Sequence, residues 1–273
     1  MGKSAIFWRQ RTAFHRFTKA KNGIRRQFAM MLLSVLCIGP IQAVEKLKVV
    51  TAQWQDFTNT DLTGVYFDYL QLVLPADQFP FEVEFTTFGR ALAALEKQQA
   101  DISFGLTGAD APHSLRAAVP YDVDRIIAIY DPKQQGISSF KSLSIQSLAT
   151  YHLAWNLAYN YGKAIGLDSQ GYQVTSPEQG IALVLNHRVD VYLAESGDLN
   201  SQEVQTLLKN PSLRQEELLQ IPVYVGFSNN ARGQALKKKW DERVQLLTEN
   251  GQLAEFYRKN PSIRAPQIIS LAN

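Results

Sequence analysis

Cysteine is almost absent from this chain of 273 residues, which contains one, Cys37, together with four histidines. From residue 44 onward no thiol remains, which excludes disulfides, thiolate nucleophiles and Cys-ligated metal sites from that part of the sequence. His113, His152 and His187 have no neighbouring ligand at the spacing of a zinc site. Neither a P-loop nor a Gly-x-Ser-x-Gly motif occurs. We therefore expect no metal, no cofactor and no enzymatic activity.

Acidic residues are missing from the first 43 positions, where eight basic residues occur instead. An apolar run, residues 28–38, follows them and leads to Gly39-Pro40-Ile41-Gln42-Ala43. A basic segment, an apolar segment and a small residue at the exit are the three parts of a secretory signal. The run is shorter than the roughly 20 residues that a membrane-spanning helix needs. We predict that residues 1–43 are a signal peptide cleaved near Ala43 and that the protein is periplasmic.

Other interpretations of this segment remain open. An uncleaved anchor or a buried N-terminal helix would also be apolar, and Arg25-Arg26 resembles the twin-arginine export motif. Ile24 stands where that motif prefers Ser or Thr, so the general secretory route is favoured. Leu36 precedes Cys37, where a lipidation signal needs a small residue, and this argues against a lipoprotein.

Positive charge is scarce once that segment is set aside. Of the 28 basic residues in the chain eight belong to it, so 20 remain against 25 acidic ones, a net charge of −5. Nucleic-acid binding needs a basic surface, and this balance argues against it. About 230 residues remain, which is enough for one large or two small cores.

Short apolar strands alternate with amphipathic helices after residue 44, a pattern typical of an α/β fold with largely parallel sheets. The predicted strands are 46–52, 81–88, 101–105, 122–130, one within 148–155, 172–174, 189–194 and 221–227. The predicted helices are one around 66–73, 90–99, one ending near 166, 177–187, 231–250 and 252–259. Ser176-Pro177 is a strong helix start, with a capping hydroxyl before a first-turn proline. Gly251 suits the end of the helix before it.

These elements divide into two lobes. Pro132 and Gly136 follow the long strand 122–130 and mark a crossing of the chain. We predict a first lobe formed by residues 44–131 and 222–273, with residues 132–221 inserted as a second lobe. The two crossings are expected at 130–134 and 219–223, and the last two helices are expected to pack on the first lobe.

Several segments are similar, in their order along the chain, to one family of exported proteins. They are Gly64-x-x-x-Asp68, Arg90-Ala91-Leu92 with Gln99-Ala100-Asp101-Ile102, Pro120-Tyr121, Thr175-Ser176-Pro177-Glu178-Gln179-Gly180 with Leu185-Asn186-His187-Arg188-Val189-Asp190, and Pro222-Val223-Tyr224-Val225-Gly226-Phe227-Ser228. Each motif alone is weak. Together, over nearly all of residues 46–260, they resemble the family 3 bacterial extracellular solute-binding proteins.

The resemblance implies the type II fold of periplasmic binding proteins, an α/β fold of two lobes joined by a hinge of two crossing strands. The ligand of such proteins sits between the lobes, which close around it. The implied function is capture of a small polar solute, amino-acid-like or related, for an ABC permease in the inner membrane. We expect a monomer whose other partner is that small-molecule solute.

Candidate ligand-binding residues of the first lobe follow its strands, because ligands of open α/β sheets bind at the carboxyl ends of the strands. Trp54 stands in a polar loop where its ring could stack on the solute or simply pack. Gly105, Thr107 and Gly108 follow the third strand, and small residues let backbone groups approach a ligand. The resemblance implies the same use of this segment, and it places Tyr121 at the exit from the lobe.

The second lobe offers two further groups. Tyr159, Asn160 and Tyr161 precede a helix whose free N–H groups suit an anion. Asn160 could simply cap that helix, and both interpretations can hold together. Glu195 ends a strand. The resemblance implies that an acidic residue at this place holds the α-ammonium group of an amino acid, and a solvated rim charge is the alternative.

Arginine is where the sequence departs from the family. Amino-acid binders of this family hold the ligand carboxylate with one arginine, whose planar fork matches that anion. Arg116 and Arg90 are the candidates here, and neither matches the family pattern, which puts an ordinary α-amino acid in doubt. Two other functions stay open. One is a sensor that docks on a receptor, and the other is a dehydratase-like enzyme on this fold with Glu195 as general acid and base.

Overall fold

A computed structural model describes residues 45–135, 139–140, 145–167 and 171–266. The predicted signal segment, residues 1–43, lies outside these ranges. None of the helices in the described ranges has both the length and the apolar character that a membrane crossing requires.

Nine strands and eight α-helices form within these ranges. The strands are β1 (Leu47–Thr51), β2 (Phe81–Phe85), β3 (Ile102–Leu106), β4 (Leu115–Arg116), β5 (Asp122–Tyr130), β6 (Leu153–Asn156), β7 (Tyr172–Val174), β8 (Val191–Glu195) and β9 (Arg214–Phe227). The helices are α1 (Val65–Val73), α2 (Phe88–Glu96), α3 (Pro132–Gln135), α4 (Tyr161–Ala164), α5 (Pro177–Leu185), α6 (Gln202–Leu207), α7 (Ala231–Glu249) and α8 (Gln252–Lys259). All predicted strands and helices are present, whereas α3, α6, β4 and the first half of β9 were not predicted.

The long strand β9 belongs to two sheets. In the first sheet β2, β1 and β3 are parallel and β3 pairs antiparallel with the end of β9, to which β4 is also paired. In the second sheet β5 lies antiparallel between β9 and β8, and β8, β6 and β7 are parallel. The predicted α/β architecture of two lobes is confirmed, with parallel strands flanking two long antiparallel ones.

The first crossing between the lobes is predicted at residues 130–134, at the end of β5. Residues of β5 pair with β9 from Asp122 opposite Val223 to Tyr130 opposite Arg214. From Ile126 onward β5 also pairs with β8, so it already belongs to the second sheet there. The expectation rested on the proline that ends β5, whereas β5 pairs within the second sheet from Asp122 onward and β9 changes sheet between Val223 and Tyr224. The predicted limits of the lobes stay a prediction.

The last two helices, α7 and α8, pack on the first sheet as predicted. The ring of Trp240 lies 5.8 Å from both Tyr69 of α1 and Phe227 of β9, between ring centroids. The hydroxyl of Tyr257 donates to the backbone oxygen of Tyr121 at 2.7 Å. These side chains belong to one buried core of the first lobe.

The residues predicted to start α5 and to end α7 have the expected conformations. The hydroxyl of Ser176 accepts a hydrogen bond from the backbone N–H of Gln179 and so caps α5. Gly251 has a φ of 78°, a left-handed conformation that favours glycine, between α7 and α8.

Candidate functional site

A cavity of about 590 Å³ lies between the two lobes, at the carboxyl ends of β1, β3 and β8. Its volume is within the range of small-molecule sites. A second hollow of about 800 Å³ lies between α7 and residues 115–119, and none of the predicted site residues lines it. The predicted ligand-binding residues therefore point to the cavity at the strand ends, the interlobe cavity.

Seven of the eleven predicted site residues line the interlobe cavity: Trp54, Gly105, Thr107, Tyr159, Asn160, Tyr161 and Glu195. The other four do not. Arg90 is exposed on α2, Gly108 and Arg116 are exposed near β4, and Tyr121 is buried in the core of the first lobe. Whether the seven contact a ligand stays a prediction.

Trp54 forms a wall of the cavity with other aromatic rings. Its centroid lies 5.5 Å from that of Phe88 and 6.3 Å from that of Tyr66. Its backbone N–H donates to the hydroxyl of Thr58 at 3.0 Å, which holds the loop after β1 in place. A Cβ at Gly105, whose φ is 83°, would lie 2.8 Å from the indole of Trp54. Gly105 therefore makes room for the indole ring.

The two lobes touch across this cavity. The ring centroid of Tyr159, in the second lobe, lies 5.9 Å from that of Phe88 in the first lobe. The amide of Asn160 donates to Asp110 of the first lobe at 3.2 Å. These contacts describe lobes that are closed on each other.

Asn160 does not cap α4 with its side chain, because that side chain reaches Asp110 instead. The capping interpretation is therefore wrong. α4 has only four residues, and a single turn carries little of the helix dipole that would attract an anion.

Carboxylates are the groups that the sequence analysis missed. Six acidic residues line the interlobe cavity: Asp56, Asp110, Asp122, Asp124, Glu195 and Asp198. Only Glu195 was predicted. Its carboxylate accepts hydrogen bonds from the hydroxyl of Ser196, at 2.8 Å, and from the backbone N–H of Gly197. A Cβ at Gly197 would lie 2.6 Å from that carboxylate, so glycine is needed for the contact.

Asp122 is almost fully buried and well supplied with donors. It accepts hydrogen bonds from the hydroxyl of Tyr66 at 2.9 Å and from the backbone N–H groups of Val123, at 2.7 Å, and Arg264, at 2.9 Å. Burial nevertheless raises the pKa of Asp122 to about 6, because the three hydrogen bonds offset only part of the lost hydration.

Asp124 and Asp198 also carry raised pKa values. Burial raises the pKa of Asp198 to about 7, and the charge of Glu195 contributes, against a hydrogen bond that the amide of Asn156 donates at 2.9 Å. For Asp124, burial comes first and the charges of Glu195 and Asp122 follow, and every main influence raises its pKa. The cavity wall therefore holds several carboxylates that resist ionising together.

Strand pairing explains why these carboxylates meet. Ile126 of β5 lies opposite Glu195 of β8. Opposite residues and residues two apart in a strand share one face of a sheet, so Asp122, Asp124 and Glu195 project from the same face. The alternation Asp122-Val123-Asp124 at the start of a strand was the signal in the sequence that could have revealed this.

Known structures resemble this arrangement of lobes and strands. A histidine kinase sensor domain with similarity to periplasmic binding proteins has a TM-score of 0.61 at 10% identity, over 82% of this chain and 100% of that one. The arginine-, lysine-, histidine-binding protein ArtJ from Geobacillus stearothermophilus has a TM-score of 0.58 at 19% identity, over 84% and 100%. This chain has the periplasmic-binding-protein fold.

A third structure with the periplasmic-binding-protein fold is the substrate binding protein of an ABC uptake transporter from Streptococcus pneumoniae with bound histidine. Its TM-score is 0.56 at 14% identity, over 78% of this chain and 91% of that one. No family model matches the chain, and no curated protein matches it. At these identities the likeness concerns the fold.

Arginine is poorly placed in this binding-protein fold to hold a carboxylate. Arg116 donates to the backbone oxygen of Thr107 at 3.3 Å, and its guanidinium lies 5.5 Å from the ring centroid of Tyr224. Arg125 does line the interlobe cavity, but its guanidinium also lies 3.9 Å from the carboxylate of Glu217. The sequence departs from the family pattern at Arg90 and Arg116, and in the structure neither side chain lines the interlobe cavity.

Metal coordination is not built into the described ranges, where no group of three or more His, Cys, Asp or Glu side chains could hold a metal ion. The six acidic residues of the interlobe cavity lie on β5, at the end of β8 and after β1, β3 and β8.

Proposed function

We propose that this protein is a periplasmic solute-binding protein that captures a small polar solute between its lobes for an ABC-type importer. The observation that carries the proposal is the interlobe cavity, with aromatic and polar side chains from both lobes at the carboxyl ends of the strands. ArtJ is named for binding arginine, lysine and histidine, and the Streptococcus pneumoniae protein contains histidine. Both support a solute of amino-acid size.

Closure of the lobes is the proposed mechanism of capture. The ring contact between Phe88 and Tyr159 and the hydrogen bond between Asn160 and Asp110 join the lobes across the cavity. A solute that contacts both lobes stabilises the closed form relative to the open one. The permease would then recognise the closed protein, and the solute would leave unchanged.

A receptor-docking sensor is the second candidate, and one observation favours it. The histidine kinase sensor domain matches 82% of this chain over 100% of its own length, with a TM-score of 0.61. Capture of the solute would be the same in both functions, and only the partner of the closed protein would differ.

Ligand screening of the purified protein tests the proposal. A solute that binds only the folded state raises the melting temperature. We expect a shift with a member of a panel of amino acids, organic acids and amines, confirmed by calorimetry. If no member of the panel binds, solute capture is contradicted.

Uptake by cells separates the two candidate roles. For an importer subunit, deletion of the gene abolishes uptake of the labelled solute and a plasmid copy restores it. For a sensor, uptake is unchanged, and a transcriptional response to the solute is lost instead.

A further inference from the structure

The wall of the interlobe cavity carries more negative than positive groups. Six acidic residues line it against two arginines, Arg125 and Arg264. Arg125 has the carboxylate of Glu217 within 3.9 Å. Arg264 is exposed and meets Asp122 through its backbone N–H. Neither arginine therefore neutralises the cluster of Asp124, Glu195 and Asp198 on the second lobe.

Like charges on one face of a sheet repel unless a cation lies between them. Asp124 lies diagonally across from Glu195, because Glu195 pairs with the residue two positions further along β5. Diagonal neighbours on one face are roughly 7–8 Å apart, a separation that leaves room for an ammonium group in contact with both carboxylates.

A second and independent observation points to a ligand in the same place. Tyr161 lines the cavity and is 2% exposed. Within the described ranges its hydroxyl has no hydrogen-bond partner. A buried hydroxyl without a partner costs stability. An ammonium group that enters the cavity can donate to that oxygen and remove the cost.

The opposite wall suits the carbon chain of such a ligand. Trp54, Phe88 and Tyr159 present aromatic rings with centroids between 5.5 and 5.9 Å apart in successive pairs. Rings of this kind bury methylene groups and attract a cation to their faces.

We propose that the solute is an aliphatic amine with at least two positive charges and no carboxylate, held by Asp124, Glu195, Asp198 and the hydroxyl of Tyr161. This inference rests on the proposed function and names the class of its solute. A carboxylate on the ligand would face these acidic groups, whereas the arginines expected to hold it, Arg90 and Arg116, do not line the cavity. More than one carboxylate is available, which favours a dication over a monocation.

Matched pairs of ligands test this inference by isothermal titration calorimetry of the purified protein at pH 7.5. Lysine differs from 1,5-diaminopentane, and arginine from 4-aminobutylguanidine, only by a carboxylate. We expect the carboxylate-free member of a pair to bind at least about tenfold more tightly, because removing one repelled charge is worth about 1.4 kcal/mol or more.

Each other outcome is informative. If lysine or arginine binds as tightly as its carboxylate-free counterpart, the inference is overturned while the proposed function stands. If an uncharged or anionic solute of the panel binds and the amines do not, the inference is likewise overturned and the proposed function stands. If calcium ions alone bind, the acidic wall is a metal site and the inference fails. If nothing binds, the inference and the proposed function both fail.

Two variants locate the binding of the amine. In Asp124→Asn the affinity for 1,5-diaminopentane is expected to fall at least about tenfold, because a charge-assisted contact is lost. Glu82→Gln removes an exposed acidic side chain on β2 and is the matched control, with the affinity unchanged. Equal affinities of the two variants for the diamine would overturn the assignment to this wall, and the melting temperatures of the unliganded variants verify that both are folded.

Discussion

The two lobes contribute different chemistry to the interlobe cavity. The first lobe supplies aromatic rings, and its carboxylates are occupied: Asp110 accepts hydrogen bonds from the N–H and hydroxyl of Thr107, and Asp122 accepts three. The carboxylate of Asp124, at the start of the second sheet, is instead influenced mainly by burial and by neighbouring negative charge. Glu195 and Asp198 of the second lobe accept hydrogen bonds as well, so the difference indicates that Asp124, for which no hydrogen bond is found among the described residues, is the buried carboxylate of the wall most available to a ligand.

Removal of one ring of the aromatic wall, that of Trp54, is expected to have the largest effect on solute affinity. Trp54→Ala removes a ring that packs on Phe88 and Tyr66. We expect solute binding to weaken by about 2–3 kcal/mol, as for other buried aromatic anchors. Calorimetry with the best solute measures this. Tyr172→Ala, at a ring that is 59% exposed on β7, is the control. Comparable losses in both variants would contradict a special role of Trp54.

Removal of charge from the second lobe should change stability in a way that depends on pH. The pKa of Asp198 is about 7, well above that of an unfolded aspartate, so the folded protein holds a proton that the unfolded chain has released. Stability therefore falls as pH rises from about 4 through 7. We expect Asp198→Asn to raise the unfolding free energy of the unliganded protein by about 1–2 kcal/mol at pH 8 and by little at pH 4.

Urea unfolding at the two pH values measures that effect. The opposite dependence, with the larger gain at low pH, would show that the carboxylate of Asp198 is stabilised in the folded protein. Exposed Glu203→Gln, at the start of α6, is the control and should show no such dependence on pH.

Asp122 tests the same comparison at a carboxylate that already accepts three hydrogen bonds. Asp122→Asn leaves one oxygen for the backbone N–H groups of Val123 and Arg264 but places an amide near the hydroxyl of Tyr66. The weakened hydrogen bond and the removal of a buried charge act in opposite directions, so we expect a change in stability of less than about 1 kcal/mol at neutral pH and a smaller loss of solute affinity than in Asp124→Asn. Thermal unfolding and calorimetry measure the two. A larger loss of affinity at Asp122 would reverse the comparison between occupied and available carboxylates.

The smallest effect is expected at the contact between Asn160 and Asp110. Its length is 3.2 Å and Asn160 is exposed. Asn160→Ala should weaken solute binding by no more than about 0.5–1 kcal/mol, as expected for an exposed hydrogen bond. Calorimetry on this variant measures it. A loss as large as that of Trp54→Ala would show that this contact, and not the aromatic wall, determines closure.

Much of the fold could be predicted because its local patterns agree with the tertiary packing. α7 and α8 have the predicted positions, since Gly251 ends one helix and apolar residues such as Trp240 and Leu253 face the core. The first half of β9 could not be predicted. Its sequence from Arg214 to Gln220 shows no alternation of apolar and polar residues, and it becomes a strand because it pairs with β5.

The candidate site was predictable only where parallel strands end. Gly105 and Glu195 lie in the last two residues of such strands, Trp54 lies just beyond one, and all three line the interlobe cavity. Asp122 and Asp124 stand at the start of β5, which is antiparallel to β8, so the start of β5 lies beside the end of β8. Their position therefore depends on strand pairing, which the sequence alone does not specify.

A fluorescence titration tests the central claim, that the interlobe cavity captures the solute, most directly. 1,5-Diaminopentane and lysine are each added to the wild type and to Trp54→Phe, with tryptophan emission recorded. We predict a saturable change in the wild type at lower concentrations of the diamine than of lysine, and its loss in the variant, which retains Trp155 and Trp240. A change that persists undiminished without Trp54 would contradict binding in this cavity.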